Sequence, residues 1–410
     1  MRTMTKLLTA AGLAALAMSA CARTAGQLAG WTVRIERTES PAGPASAQPQ
    51  ITTSDRGAVL SWLETVASET TFKFSQLTPD GWSAPRAIVS GDNFFANWAD
   101  VPSVIRLADG ALVAHWLQKS GQDTYAYDVR LSRSTDEGLT WSPSFTPHHD
   151  GTKNEHGFAS LFQAPGGGLG LVWLDGRAMT PPAAGGDEGT GDMSLRGAIF
   201  DRDLKPLAED AIDLRVCECC PTAAAVTADG AIVAFRNRSP EEIRDIYVSR
   251  LVGGKWAEPA AVHNDGWQLN GCPVNGPALS ARGRDVAIAW FTAPGDQGHT
   301  FVAFSQDAGK TFGAPIRVDE AGSLGRVDVE LLPDGSAVVS WIELADKRAT
   351  FSIRRAERSG QRSAPITVAP LGANRSSGYP RMAREVDELL FAWTGSDNSL
   401  RVQTASAKLP

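Results

Sequence analysis

The stretch "DGALVAHWLQ" (residues 109–118) begins at a turn, alternates small with larger apolar residues, and ends around an aromatic ring. This pattern occurs seven times in the chain, at intervals of roughly 50–60 residues. Such a repeat indicates an architecture assembled from similar units, because no single unit can bury its own apolar faces. The other copies are "DRGAVLSWLE" (55–64), "GGLGLVWLDG" (167–176), "DGAIVAFRNR" (229–238), "GRDVAIAWFT" (283–292), "DGSAVVSWIE" (334–343) and "VDELLFAWTG" (386–395).

Each copy lies among further runs with the two-residue alternation of β-strands. A shorter apolar run such as "PSVIRLA" (102–108) precedes it, and each of the first six copies is followed by one or two runs such as "YDVRLSRS" (127–134). Four short strands per unit, repeated radially, predict an all-β, seven-bladed β-propeller. Six blades are the alternative if one unit is misread.

The last unit is shorter than the others, and the chain supplies a strand that can complete it. After "LLFAWTG" (389–395) only "SLRVQTASAKLP" (399–410) remains, so this blade lacks an outer strand. The run "GWTVRIERT" (30–38) lies before the first complete unit and has no partner there. We therefore expect this N-terminal strand to close the ring, because an open blade would leave an unpaired edge.

The N-terminus has the features of a bacterial secretory signal. Basic residues Arg2 and Lys6 precede an apolar run from Leu7 to Ala20, and small residues then lead to Cys21. This end resembles a lipobox, in which the cysteine is lipidated and begins the mature protein; plain secretion is the alternative. The sequence thus predicts a signal peptide over residues 1–20 with Cys21 lipidated, a tether over 21–29 and a propeller over 30–410.

These features predict a lipid-anchored monomer of the bacterial cell envelope, at the outer membrane. Its only contact with the membrane is expected to be the lipid, because no later stretch is long and apolar enough to cross a bilayer. The formal net charge is −7 and no basic stripe is present. An acidic chain of this kind does not favour nucleic acid as a partner.

Two segments identify a family resemblance. "SRSTDEGLTW" (132–141) and "FSQDAGKTF" (304–312) both match the pattern S-x-D-x-G-x-T-[WF] of the Asp-box, or BNR repeat. The chain resembles the Asp-box propellers of the sialidase-like superfamily over nearly all of its mature length. The resemblance implies that these segments are hairpin turns between the two outer strands of a blade, on the face away from the ligand pocket. The Asp would cap backbone N–H groups and the Gly would take a positive φ.

The resemblance also implies candidate catalytic groups. Sialidases of this superfamily hold the sugar carboxylate with three arginines and use a Tyr–Glu pair as nucleophile and a loop Asp as acid/base. On this chain the matching candidates are Tyr379 as nucleophile, activated by Glu343 or Glu330, and Asp100 as the loop acid. The [FY]-R-I-P motif that opens the first blade of the family is absent; the nearest text is "WTVRIERTES" (31–40).

Propeller topology predicts which side chains meet. The loops that lead into the innermost strands, called axial loops here, converge around the axis, together with the loops that leave the second strands. Arginines there suit bidentate recognition of a carboxylate or sulfate, and aromatic rings suit stacking on a sugar. The alternative is that the arginines form ion pairs between blades. The candidate ligand-binding residues are Arg177, Arg236, Arg238, Arg326, Arg381, Trp98 and Asp175.

Cysteines cluster in two successive axial loops. Cys217, Cys219 and Cys220 lie in "RVCECCPTA" (215–223), and Cys272 lies in "DGWQLNGCPVNGP" (265–277). In an oxidising compartment the expected state is a disulfide, with Cys217 or Cys219 bridged to Cys272. The alternatives are a copper or zinc site and a redox site. We expect no cofactor.

Together these observations predict a cell-envelope lipoprotein that binds a glycan or another anionic small ligand at the loop face near the central channel. The alternative from another class is a glycoside hydrolase of the sialidase type. A metal or redox site at the cysteines is a third possibility.

Overall fold

The computed structural model describes residues 30–180, 190–395 and 400–410. The predicted signal peptide, the lipidation site Cys21 and the tether lie outside the described residues. The described chain folds into seven antiparallel sheets that form the blades of a propeller, as the repeat predicted. No helix among the described residues has the length and apolar character needed to cross a membrane.

The first four blades follow one another along the chain, and each begins at its innermost strand. They are preceded by the N-terminal strand β1 (Glu36–Thr38), which belongs to blade 7. Blade 1 consists of β2 (Ser46–Ser54), β3 (Gly57–Val66), β4 (Glu69–Thr78), β5 (Gly81–Trp82) and β6 (Arg86–Gly91), and blade 2 of β7 (Ser103–Arg106), β8 (Leu112–Lys119) and β9 (Tyr127–Ser134). Blade 3 consists of β10 (His156–Gln163), β11 (Leu169–Asp175), β12 (Ser194–Phe200) and β13 (Pro206–Asp213), and blade 4 of β14 (Ala223–Thr227), β15 (Gly230–Arg236), β16 (Ile246–Val252), β17 (Lys255–Trp256) and β18 (Ala260–Ala261).

The last three blades have the same order, and two short 3-10 helices lie in their loops. Their elements are, in blade 5, β19 (Ala278–Arg282), β20 (Asp285–Thr292), the helix Pro294–Asp296, β21 (His299–Ser305) and β22 (Ile316–Arg317); in blade 6, β23 (Ser323–Leu331), β24 (Ala337–Ala345), β25 (Arg348–Ala356) and β26 (Ile366–Leu371); then the helix Arg375–Ser377 and, in blade 7, β27 (Arg381–Glu385), β28 (Glu388–Gly395) and β29 (Arg401–Lys408).

The seven repeated segments are the second strands of the blades, and their aromatic rings fill the space between sheets. Trp62, Trp173 and Trp341 are wholly buried, and Phe235 takes the equivalent position in blade 4 with 1% of its surface exposed. Burial of rings of this size is the main source of stability when two faces of each sheet pack against neighbours. The repeat in the sequence is therefore a repeat of the core.

The ring closes as predicted. Strand β1 pairs antiparallel with β29, with Arg37 opposite Ala405, and becomes the outer strand of blade 7. Trp31, just before this strand, is buried in the same core as the ring of Trp393. Joining both chain ends in one sheet removes the open edge that a shorter blade would expose.

The two S-x-D-x-G-x-T segments are hairpins with the same hydrogen bonds. In the second, Ser305 Oγ donates to Asp307 Oδ1 at 2.7 Å, and Thr311 donates from N at 2.9 Å and from Oγ1 at 2.6 Å to the same carboxylate. Gly309 takes φ 79° and Gly138 takes φ 80°, which L-residues with a Cβ rarely adopt. Because strands alternate in direction, these hairpins lie on the face opposite the axial loops.

Blade 2 departs from the four-stranded plan. It has three strands, and an isolated bridge between Leu131 and Phe145 stands where the fourth strand would pair. Ser144 still ties this segment to β9, because its carbonyl accepts a hydrogen bond of 2.7 Å from Arg130 Nη2. A segment with Pro143 and Pro147 around the bridge lacks the N–H groups for a regular ladder.

Candidate functional site

A cavity of about 250 Å³ follows the propeller axis and is lined by residues of the innermost strand of every blade. Three carboxylic acids, Asp100, Asp328 and Glu330, and one guanidinium, Arg381, contribute to its wall. Burial and the negative charge of Asp328 together raise the pKa of Glu330 to about 8. Burial likewise raises the pKa of Asp100 to about 7. The channel wall therefore carries carboxyl groups that take up protons near neutral pH, beside the guanidinium of Arg381.

Tyr379 stands at the mouth of this channel on the axial-loop face. It is 2% exposed, and its hydroxyl donates to the backbone carbonyl of Val274 at 2.7 Å. Trp98 stacks on its ring with centroids 6.0 Å apart, and Arg381 lies 5.3 Å from the ring centroid. Burial raises the pKa of Tyr379 well above its usual value. A buried phenol that donates to a carbonyl fits a structural role between axial loops better than a nucleophile.

Two arginines lie close to the ring of Trp98. The guanidinium carbon of Arg326 lies 4.6 Å from the ring centroid and that of Arg375 lies 5.9 Å from it. Arg326 Nη1 donates to the carbonyls of Asn374 at 3.1 Å and Gly378 at 3.0 Å. Burial lowers the pKa of Arg326, and the nearby charge of Arg375 lowers it further. Among the described ion pairs, neither arginine has a carboxylate within 4 Å.

Two of the other predicted arginines, Arg177 and Arg238, are already paired with carboxylates. Arg177 donates to both carboxylate oxygens of Asp175, at 2.8 and 2.7 Å, and to Glu209 at 2.9 Å. Arg238 forms ion pairs with Glu218 and Glu242. The alternative of ion pairs therefore describes these two arginines, and the structure does not bring them to the channel mouth with Arg326.

Among the described residues, Arg236 has neither the ion pairs of Arg177 and Arg238 nor the place of Arg326 beside Trp98. It is 1% exposed and donates to three backbone carbonyls, those of Asn275 at 2.9 Å, Arg244 at 2.5 Å and Phe291 at 2.7 Å. Its guanidinium also lies 5.0 Å from the ring centroid of Trp267. These bonds join the end of the second strand of blade 4 to the axial loop and the second strand of blade 5.

Asp175 and Glu343 share a structural role that the sequence did not reveal. In blades 3 and 6 the indole N–H of a tryptophan donates to the carboxylate two residues later, at 2.8 Å for Trp173 and 2.5 Å for Trp341. Glu343 also accepts from the backbone N–H of Ala321 at 2.7 Å. Its described bonds bring it to its own blade and not to Tyr379, so the two proposed catalytic partners do not meet.

Asp100 belongs to a buried acidic cluster that sequence reasoning missed. Its carboxylate accepts from the N–H of Phe158 at 2.7 Å and from the hydroxyl of Tyr127 at 3.3 Å. The same hydroxyl donates to Glu155 at 2.6 Å, and Phe95 covers the ring of Tyr127 with centroids 3.8 Å apart. The sequence signal for this cluster was one acid, Glu155, in the axial loop "TKNEHGFAS" (152–160). Its partner Tyr127 lies in strand β9, where the alternating pattern does not indicate this contact.

A second missed cluster contains stacked histidines. The ring centroids of His148 and His156 are 3.7 Å apart, and both rings donate to Asp150 Oδ2, at 3.0 and 3.1 Å. Burial alone would lower the pKa of His156, but Asp128 and the neighbouring carboxylates outweigh it and raise the pKa. Arg177 lies 3.6 Å from Asp150, so a cation already faces this cluster.

The two cysteine-bearing axial loops adjoin, and the thiols of Cys217, Cys219 and Cys220 converge. Cys217 Sγ lies 3.3 Å from Cys220 Sγ and 3.9 Å from Cys219 Sγ. Contacts with the thiols of Cys217, Cys220 and Cys272 raise the pKa of Cys219 strongly. The N–H of Asn275, three residues after Cys272, donates to Cys220 Sγ at 3.4 Å. All four are free thiols in this structure, and the disulfide stays a prediction.

Comparison with known proteins supports the fold. No family model matches the chain, and no curated protein matches it significantly in sequence. A protein of unknown function from Dyadobacter fermentans DSM 18053 has a similar structure, with TM-score 0.52, 14% identity, and coverage of 92% of this chain and 98% of that one. The polysaccharide lyase Uly1 is similar with TM-score 0.51, 12% identity and 94% coverage of both chains.

The phage phi92 endosialidase is also similar, with TM-score 0.51, 10% identity, and coverage of 92% of this chain and 69% of that chain. At such low identities, similarity establishes the fold and leaves the chemistry of each site to its own residues. The chain is a seven-bladed β-propeller.

Proposed function

We propose that this protein is a cell-envelope lipoprotein whose propeller binds a glycan with an anionic group at the mouth of the channel. The observation that carries the proposal is that Arg326 and Arg375 both lie close to the ring of Trp98, without a carboxylate in ion-pair distance among the described residues. Two like charges held together gain stability from an anion placed between them.

The chemistry of the mouth suits a sugar that carries a carboxylate or sulfate. Guanidinium groups bind such planar or tetrahedral anions through paired N–H donors. The indole of Trp98 is only half-buried, so its accessible part adds an apolar contact for a sugar ring. Similar folds occur in a polysaccharide lyase and an endosialidase, which is in line with a glycan ligand.

The contacts favour binding over hydrolysis by a tyrosine nucleophile. The hydroxyl of Tyr379 donates to a backbone carbonyl, and Glu343 bonds to Trp341 and the backbone of its own blade. Hydrolysis of the sialidase type needs a tyrosine hydroxyl paired with a base that takes up its proton. Among the hydrogen bonds of the described residues, none joins the Tyr379 hydroxyl to Glu343 or Glu330.

The test is calorimetric titration with sialyllactose, a sulfated disaccharide and a glucuronate disaccharide, with neutral lactose as the control ligand. We expect at least one anionic sugar to bind and lactose not to bind. Arg375→Ala should weaken binding by about tenfold, the effect of losing about 1.4 kcal/mol of interaction. Arg375 is exposed, so this variant should fold.

Arg282→Ala is the matched control, since Arg282 is an exposed arginine on the opposite face. It should leave the affinity unchanged. Equal binding of lactose and the anionic sugars, or equal affinity of wild type and Arg375→Ala, would overturn the proposal.

A further inference from the structure

The thiol cluster of Cys217, Cys219, Cys220 and Cys272 lies beside the ligand site but shares no side chain with it. Ligand atoms of the first three all lie within 4.8 Å of one another. The fourth comes from the next axial loop and adjoins Cys219. Three thiols of one axial loop therefore face a common point, and Cys272 of the next axial loop stands beside Cys219.

The spacing of the sulfurs matches a metal site better than a covalent bridge. Sulfurs bound at about 2.3 Å to a tetrahedral metal are separated by about 3.8 Å. The distances from Cys217 Sγ are 3.3 Å to Cys220 and 3.9 Å to Cys219, close to that separation. One sulfur, that of Cys217, approaches two partners at once, whereas a disulfide would pair it with a single partner.

A buried cation next to the cluster provides an independent indication. Arg236 is 1% exposed and bonds only to backbone carbonyls, and none of the described ion pairs includes it. Its charge acts on Cys220. A buried guanidinium is costly unless negative groups lie nearby. The carboxylate of Asp245, on which the charge of Arg236 acts, is one such group, and thiolates held by a metal would add to it.

The histidine cluster is a weaker candidate for the same chemistry. Its carboxylates already face Arg177, which lies 2.7 Å from Asp175 and 3.6 Å from Asp150. A second cation would compete with that arginine. The cysteine cluster has no cation in its centre and offers only soft sulfur ligands, which select Cu(I) or Zn(II) over hard cations.

We propose that Cys217, Cys219, Cys220 and Cys272 form a binding site for one thiophilic metal ion, Cu(I) or Zn(II), at the mouth of the propeller. Binding replaces the thiol protons by metal–sulfur bonds and releases those protons to solvent, with no change in the oxidation state of sulfur. The site goes beyond the proposed glycan binding and does not depend on it.

The test uses the full chain with Cys21→Ser, so that every thiol counted belongs to the cluster. After purification from the bacterial envelope, metal content is measured, and free thiols are counted by alkylation and mass spectrometry after metal removal. The metal-free protein then competes anaerobically for Cu(I) with bathocuproine disulfonate, and separately for Zn(II) with 4-(2-pyridylazo)resorcinol. The two competitions distinguish the metals.

We expect one equivalent of metal per chain and four alkylated thiols. Cys219→Ser and Cys272→Ser should each weaken the affinity at least tenfold, because each removes one ligand at a position that is not fully buried. His149→Ala, which changes an exposed histidine on another part of the chain, should bind like wild type.

Three results would overturn the proposal. They are two thiols that resist alkylation until a reductant is added, failure of both metals to transfer from their competitors, and affinities that Cys219→Ser and Cys272→Ser leave unchanged. The first of these would establish the predicted disulfide instead.

Discussion

The two faces of the ring differ in the partners of their charged side chains. On the hairpin face Asp307 is satisfied within its own turn by Ser305 and Thr311. On the axial-loop face Arg236 and Arg326 are buried and bond to backbone carbonyls alone. A carboxylate whose acceptors are filled within its own turn needs no partner from outside. Buried cations whose hydrogen bonds go to carbonyls have capacity for an anion or a thiolate cluster.

The largest expected effect comes from Arg236, which links the two cysteine loops. Replacing it by Met leaves three buried carbonyls, of Asn275, Arg244 and Phe291, without their donor. We expect the free energy of unfolding in urea to fall by on the order of 3–5 kcal/mol. Arg282→Met on the hairpin face should change it by less than about 0.5 kcal/mol. Equal effects of the two changes would contradict the contrast between the faces.

A second prediction concerns the acidic channel between the faces. Burial raises the pKa of Glu330 from 4.5 to about 8 on folding, so the folded state holds this proton more tightly than the unfolded state. The stability that results is complete below the unfolded pKa and is lost as pH rises through the folded pKa. The free energy of unfolding should therefore fall between pH 5 and pH 8, by on the order of a few kcal/mol.

Glu330→Gln should flatten this dependence and be more stable than wild type at pH 8. Asp100 contributes in the same direction, since its pKa is raised to about 7, so part of the slope should persist. Glu69→Gln, a change of an exposed acid, should keep the wild-type profile. A Glu330→Gln variant with an unchanged slope would show that the channel carboxyl ionises freely.

The sequence contained the strand order, the closure of the ring and the convergence of the cysteine loops. These depend on periodicity: Trp173 and Trp341 mark second strands, and alternating strand direction then fixes which loops share a face. The hydrogen-bond and ion-pair partners of individual side chains could not be predicted from the sequence. Nothing in the local pattern distinguishes Arg177, which pairs with Asp175, from Arg326, which has only carbonyl partners.

The same limit explains why the partners of Glu343 and Tyr127 could not be predicted from the sequence. Both lie in strands where alternation predicts only the direction of the side chain, and their partners depend on packing. Glu343 accepts from an indole two residues away, while Tyr127 reaches Glu155 in the next axial loop. The sequence also predicted four strands in blade 2, where the structure has three.

A third prediction separates structure from catalysis at Glu343. Glu343→Ala removes the acceptor for Trp341 and for the N–H of Ala321, so the free energy of unfolding should fall by about 1–3 kcal/mol. Affinity for an anionic sugar should stay within twofold of wild type. Loss of turnover of a fluorogenic sialoside in this variant, at unchanged stability, would show instead that Glu343 is catalytic.

The smallest effect is expected on the hairpin face. Burial of Asp307 opposes ionisation slightly, but hydrogen bonds from Thr311 and Ser305 lower its pKa to about 2. Asp307→Ala should lower the free energy of unfolding by about 1 kcal/mol or less, as for the loss of other local caps. The loss should appear above the unfolded pKa of 3.8 and vanish as pH falls through about 2. Sugar affinity should not change, which calorimetry checks.

Hydrogen exchange with and without a bound anionic sugar tests most directly whether the axial-loop face is the one that binds. We predict slower exchange in the axial loops 93–102 and 374–380, which carry Trp98 and Arg375, and unchanged exchange in the hairpins 134–141 and 305–312. Protection confined to the hairpins, or no protection at either face under saturating sugar, would contradict this account.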